Sequence, residues 1–106
     1  GQRRDVVAVS SDLHYLHVHT TRGSAMILGS LREAVAALGD AGMTVHRSHW
    51  VAHDHVRRVV IAGNEASCQL ATGLRVPVSR RKRRDVRRQY GEGAVDVSGD
   101  RRGDAV

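Results

Sequence analysis

The stretch Val45-His46-Arg47-Ser48-His49-Trp50-Val51 decides how this chain is read. Valines close it at both ends, and two histidines, an arginine, a serine and the chain's only tryptophan stand between them. Met43–Val45 enters as a strand, in which successive side chains take opposite faces. Strict alternation then fails: Val45 and Val51 share one parity, Trp50 and Ala52 the other. A bulge or tight turn near Ser48 restores the pattern and re-aims the polar side chains. A second stretch, Val76-Pro77-Val78-Ser79-Arg80-Arg81-Lys82-Arg83-Arg84, has the same grammar: a short apolar run delivers its last polar residues to a surface. Pro77 lacks an amide donor, so this strand belongs at a sheet edge.

Working outward, Val6–Val9 is a short apolar run of strand type, and Ser10-Ser11-Asp12 reads as a turn. Tyr15–Thr20 alternates, with Leu16 and Val18 on one face and Tyr15, His17 and His19 on the other. Thr21-Arg22-Gly23-Ser24 is a hairpin turn, and Ala25–Leu28 returns. Ser30-Leu31-Arg32-Glu33 is a capping box. Leu31, Ala34, Val35 and Leu38 then form one apolar stripe, which predicts a helix over about 30–38 that stops at Gly39 and lies on a sheet. Arg57–Ile61, Ala66–Leu70 and Val76–Ser79 follow as strands, with turns at Gly63-Asn64 and Thr72-Gly73. Arg80–Gln89 suits a short C-terminal helix with Val86 as its only apolar anchor. The fold class is therefore mainly β, a sandwich or stack of small sheets with one clear helix.

At 106 residues there is room for one small domain and a tail. We place the domain at 1–90 and read 91–106, dominated by glycine and charge, as a disordered charged tail. Phe is absent and only Tyr15, Trp50 and Tyr90 are aromatic, so the core rests on Val, Leu, Ile and Ala. Three aromatics make no stacking platform for single-stranded nucleic acid. Cys68 stands alone, which excludes an internal disulfide and a thiolate metal site. No apolar run approaches a membrane span and no signal-peptide pattern is legible, so a cytoplasmic location without membrane contact is expected.

The net charge of +6 is local. Residues 1–79 carry eight basic and six acidic side chains, residues 80–90 seven and one, and residues 91–106 two and four. The excess thus sits in one eleven-residue block. Taken alone, that block fits either a polyanion contact or a solvated basic tail.

These residues together resemble the LytTR DNA-binding domain of bacterial response regulators. The resemblance is carried by His14-Tyr15-Leu16 leading into an alternating strand, the Ser-Leu-capped helix, Val45-His46-Arg47-Ser48, and Val76-Pro77-Val78-Ser79-Arg80. It runs from about Val6 to Arg88. It implies small stacked antiparallel sheets. It further implies sequence-specific binding of double-stranded promoter DNA, with loops and strand ends in successive major grooves. Two copies on tandem repeats and an upstream sensory or receiver domain belong to the same expectation. By position it assigns base reading to His14, Arg47 and Arg80.

Arginine suits guanine because its fork bonds O6 and N7 together. Arg81, Lys82, Arg83 and Arg84 suit phosphates, where they add affinity and salt dependence with little specificity. Ser48 and His49 join Arg81, Lys82 and Arg84 as expected phosphate contacts. His46 reads as a half-buried histidine bonded to backbone. Two alternatives remain at this point. His17-x-His19 and His53-x-His55 each set two imidazoles on one strand face, a zinc-compatible arrangement if the strands are neighbours. The basic block also fits RNA. No nucleophile elbow, phosphate loop or paired carboxylates appear, so neither an enzyme nor a cofactor is expected.

Overall fold

In the computed structural model the described residues are 5–91, together with the backbone of Ala94–Asp96. The chain runs β1 (Val6–Asp12), β2 (Tyr15–Thr20), β3 (Gly23–Leu28), α1 (Leu31–Leu38), β4 (Gly42–His46), β5 (His49–Ala52), β6 (Val56–Ala62), β7 (Glu65–Leu70), β8 (Arg75–Val78), α2 (Arg83–Tyr90) and β9 (Ala94–Asp96). Two sheets result, in the orders β3-β2-β1-β5-β4 and β8-β7-β6-β9. All pairings are antiparallel except β6 with β9. The mainly β expectation holds, with two short helices.

The first sheet is the middle layer, and each of its faces has its own core. On one face Val9, Leu16, Trp50 and Ala52 are buried beneath α1. The helix supplies Leu31, Ala34, Val35 and Leu38, the stripe predicted from spacing. Ser30 caps it, its hydroxyl accepting from the Glu33 amide at 3.2 Å, and Gly39 ends it with φ +61°. On the other face Val7, Ala8, Val45 and Val51 meet Val59, Ile61, Cys68, Leu70, Val76 and Val78 of the second sheet. A register shift between Val6 and Ala8 lets the consecutive Val7 and Ala8 both reach that core. Burial raises the Cys68 thiol to about 12, so it packs as a small hydrophobe.

The parity argument is realised at β4 and β5. The two-residue turn Arg47-Ser48 joins the strands, and a register shift between Thr44 and His46 lets Val45 and Val51 enter one core while Trp50 and Ala52 enter the other. Trp50 is 1% exposed, and its indole lies over Gly42. A Cβ at Gly42 would strike the Val51 carbonyl oxygen and stand 2.5 Å from Trp50 Cζ2. Glycine is required there by close approach, since no side chain fits between the ring and β5.

Two local expectations are corrected. Ser10-Ser11-Asp12 is strand, because β2 on one side and β5 on the other bond Ser10 in register with His17 and His49. The turn is Leu13-His14 instead. His53–His55 is a 3-10 turn, not a strand face. Within the stretch 91–106 expected to be a tail, Ala94–Asp96 forms β9, which pairs with the outer edge of β6. A sheet edge presents unpaired backbone groups that a short segment satisfies. Residues 92–93 and 97–106 of that tail lie outside the described residues. Pro77 does sit on an edge strand, β8.

Candidate nucleic-acid interface

Three turns meet along one end of the molecule: Leu13-His14 between β1 and β2, Arg47-Ser48 between β4 and β5, and the segment Ser79-Arg80 after β8. Backbone hydrogen bonds join them. The Ser11 amide donates to the Ser48 carbonyl at 2.9 Å, which ties the first turn to the second. The Ser79 amide donates to the Val45 carbonyl at 2.8 Å, which ties the third to the second. The residue before Arg80 is thus fixed to the residue two before Arg47, so both arginines rise from one side of the body. His14, Arg47 and Arg80 are all exposed.

Local chemistry stiffens each turn. His46 Nδ1 accepts from the Ser48 amide at 3.1 Å, closing a side-chain ring around Arg47. That nitrogen must carry no proton to accept, so the turn holds His46 with its Nδ1 bare. The His14 carbonyl accepts from the Gly29 amide at 3.0 Å, which ties the first turn to the end of β3. Ser79 caps the 3-10 turn Arg80–Lys82, its hydroxyl accepting from the Lys82 amide at 3.3 Å. Leu13 has φ +58°, a conformation that costs a leucine roughly 1–2 kcal/mol.

Beside the turns, histidines line one stretch of the first sheet. His17 and His49 both pair with Ser10, and the His46 and His49 rings meet edge to face with centroids 5.0 Å apart. His17 Nε2 lies 3.8 Å from Asp12 Oδ2. Burial, then the neighbouring His46 and His19, lower the His49 pKa. Burial, then His17, lower that of His19. Among the described residues, no group of three or more His, Cys, Asp or Glu is placed to hold a metal ion. The zinc-compatible arrangement of the two His-x-His pairs is therefore not assembled. His53 is engaged elsewhere, its Nδ1 2.7 Å from the Tyr90 hydroxyl. Burial, then Cys68, raise the Tyr90 pKa, which keeps that hydroxyl protonated.

The basic block continues from Arg80 into α2. Arg80, Arg81, Arg83, Arg84 and Arg87, with Asp85 among them, surround a shallow basin. Arg81 and Arg84 are exposed, and Lys82, Ser48 and His49 are half-buried. Arg83 has an internal partner. Its Nη2 donates to the Asn64 carbonyl at 2.7 Å, and its Nε is buried without a partner. This bond fastens α2 to the β6–β7 turn. Val86, fully buried, is the helix's apolar anchor, with Tyr90 packed beside it.

Sequence reasoning missed Arg83, because nothing distinguishes it from its neighbours in a run of arginines. The His46-x-Ser48 spacing did carry a signal. An acceptor side chain two residues before an amide is the pattern by which short polar residues close turns.

A family model described as the LytTr DNA-binding domain matches residues 2–91. The chain belongs to the LytTR DNA-binding domain family. A solved LytTr DNA-binding domain from Bacillus cereus, of a protein described as a methyl-accepting/DNA response regulator, shares the fold. Its TM-score is 0.74 at 21% identity, over 84% of this chain and 84% of that one. No curated protein matches the chain. In this LytTR domain the joined turns and the basic helix each carry exposed side chains. DNA binding is the function to which the family membership assigns it.

Proposed function

We propose that this LytTR domain reads specific sequences in double-stranded promoter DNA as part of a bacterial response regulator. His14, Arg47 and Arg80 contact base edges in successive major grooves. Ser48, His49, Arg81, Lys82 and Arg84 hold phosphates. Two copies occupy tandem repeats, and an upstream sensory or receiver domain controls them in the cytoplasm.

One observation carries this reading: the Ser11–Ser48 and Val45–Ser79 backbone bonds, which hold three exposed polar tips in a fixed relation. Base reading requires side chains that rise from an immobile backbone, because the donor positions must match a base edge within a few tenths of an ångström. Phosphate contacts tolerate more movement, and the helix that follows Arg80 supplies those.

The test compares a genomic fragment chosen by footprinting with random duplex, at two salt concentrations. Loss of one bidentate guanine contact removes roughly 1–3 kcal/mol, or about 5- to 150-fold. Arg47→Ala and Arg80→Ala are expected to lose that much on the chosen fragment and little on random duplex. A combined Arg81→Ala, Lys82→Ala, Arg84→Ala variant should weaken both duplexes and lower the salt slope by about 3. Equal loss on both duplexes for Arg47→Ala would refute its base-reading role. Duplex RNA should compete poorly, since its deep major groove excludes side chains. Strong competition by RNA would support the rival reading of the basic block.

A further inference from the structure

Leu13 combines two features that do nothing for the isolated domain. It is 90% exposed, the most exposed of the large apolar side chains. It also has φ +58°, among the described residues the only positive φ outside glycine. A glycine would adopt that backbone at no steric cost, and an asparagine at little. Leucine strains the turn and exposes its side chain to water, and no neighbour in the domain covers it. Backbone strain of this kind clusters at functional sites, and here it falls on an exposed apolar side chain.

Its position bears on what that side chain meets. Leu13 lies between Asp12 and His14 on the turn fixed by the Ser11–Ser48 backbone bond, at the end of the molecule that presents Arg47 and Arg80. The neighbouring tips supply an imidazole and two guanidinium groups, which suit base acceptors. In the major groove the one apolar mark on any base is the thymine 5-methyl group, and an aliphatic side chain is what recognises it.

We propose that Leu13 is a specificity-determining residue that reads a thymine by packing on its 5-methyl group, beside the base contacted by His14. The proposal rests on the base-reading role of this end of the domain. Exposed Tyr15, Met26, Ile27 and Leu28 lie on β2 and β3, where Tyr15 pairs with Asp12 and Leu28. They are not part of the contact.

The experiment replaces thymines of the footprinted fragment by deoxyuridine one at a time, which removes only the methyl group. Wild-type protein and Leu13→Gly are titrated on each duplex. Burial of one methyl group corresponds to roughly fourfold in affinity. Wild-type protein is expected to lose about that much at a single thymine on each half-site. Leu13→Gly should bind the unmodified fragment at least fourfold more weakly and show no further loss at that position. It should also melt at a higher temperature, because the strain is gone. A variant that is more stable yet binds less well rules out misfolding as the cause. If no single position discriminates, or if Leu13→Gly keeps the wild-type sensitivity, the proposal is overturned. Arg47→Ala run alongside separates the two ideas. Sequence preference lost with Arg47→Ala but kept with Leu13→Gly defeats Leu13 alone. If no fragment is preferred over random duplex even by wild-type protein, both readings fall.

Discussion

Arg47 and Arg84 are both exposed arginines, but they are held differently. Arg47 stands on a two-residue turn that accepts a backbone bond from β1, shares β4 with the end of β8, and is closed by His46. Arg84 stands on a two-turn helix held by side chains: Val86 in the core, Arg83 on the Asn64 carbonyl, and Tyr90 against His53. Backbone links fix an atom's position to tenths of an ångström, whereas side-chain tethers fix an element's place and leave it some play. Under the proposed function, the difference divides specificity from affinity. Bases need the first kind of support and phosphates are satisfied by the second.

The largest expected effect comes from breaking the rigid side. Gly42→Ala forces a methyl group between Trp50 and β5, where neither the indole nor the Val51 carbonyl has room to move. Overpacking of this kind costs about 3 kcal/mol, the upper part of its usual range. That lowers the melting temperature by about 12–24 °C for a domain of this size. β4 carries the Arg47 turn, so the ratio of specific to random binding, measured well below the new melting point, should fall at least tenfold. A preserved ratio would show that the turn does not depend on the sheet beneath it.

A smaller perturbation on the other side sharpens the contrast. Val86→Ala removes two methyl groups from a fully buried position and should cost about 2 kcal/mol. It loosens the helix that carries Arg84, Arg87 and Arg88 while leaving the three turns joined. The specific-to-random ratio should change less than twofold, even though the melting temperature falls clearly. A large change in the ratio would mean that α2 sets the register of the reading turns, and the division drawn above would fail.

Much of this was legible in the residues. The capping box and stripe of α1 are local, so spacing alone revealed them and their core partners. A bulge or tight turn near Ser48 was expected, and the structure has both, a turn at Arg47-Ser48 and a register shift between Thr44 and His46. Pro77 identified an edge. What escaped depends on partners distant in the chain. Ser10 and Ser11 have the composition of a turn, and pairing with β2 and β5 overrides that preference. At the site, exposed Arg47 and Arg80 could be placed from their short apolar anchors. The inward turn of Arg83 could not, because it is set by a carbonyl nineteen residues earlier.

The smallest effect concerns pH and belongs again to the rigid side. His19 and His49 have lowered pKa values in the folded protein, first through burial and then through histidine neighbours. Unfolded, they return toward about 6.5. Between the lowered values and 6.5 the unfolded chain binds more protons than the folded one, so stability rises with pH across that window. Their contribution is fully favourable to folding above the unfolded value and is lost as pH falls below it. His17 faces the same stretch, with Asp12 offering it the one nearby negative charge on its own sheet face. We therefore expect the melting temperature to fall on going from pH 7.5 to pH 5.5. The fall should be smaller in a His19→Gln, His49→Gln variant, because glutamine takes no proton. Melting curves at both pH values decide it. An unchanged or larger fall in the double variant would place the titrating group elsewhere, and the histidine-lined stretch would then be only a polar lining beside the reading turns.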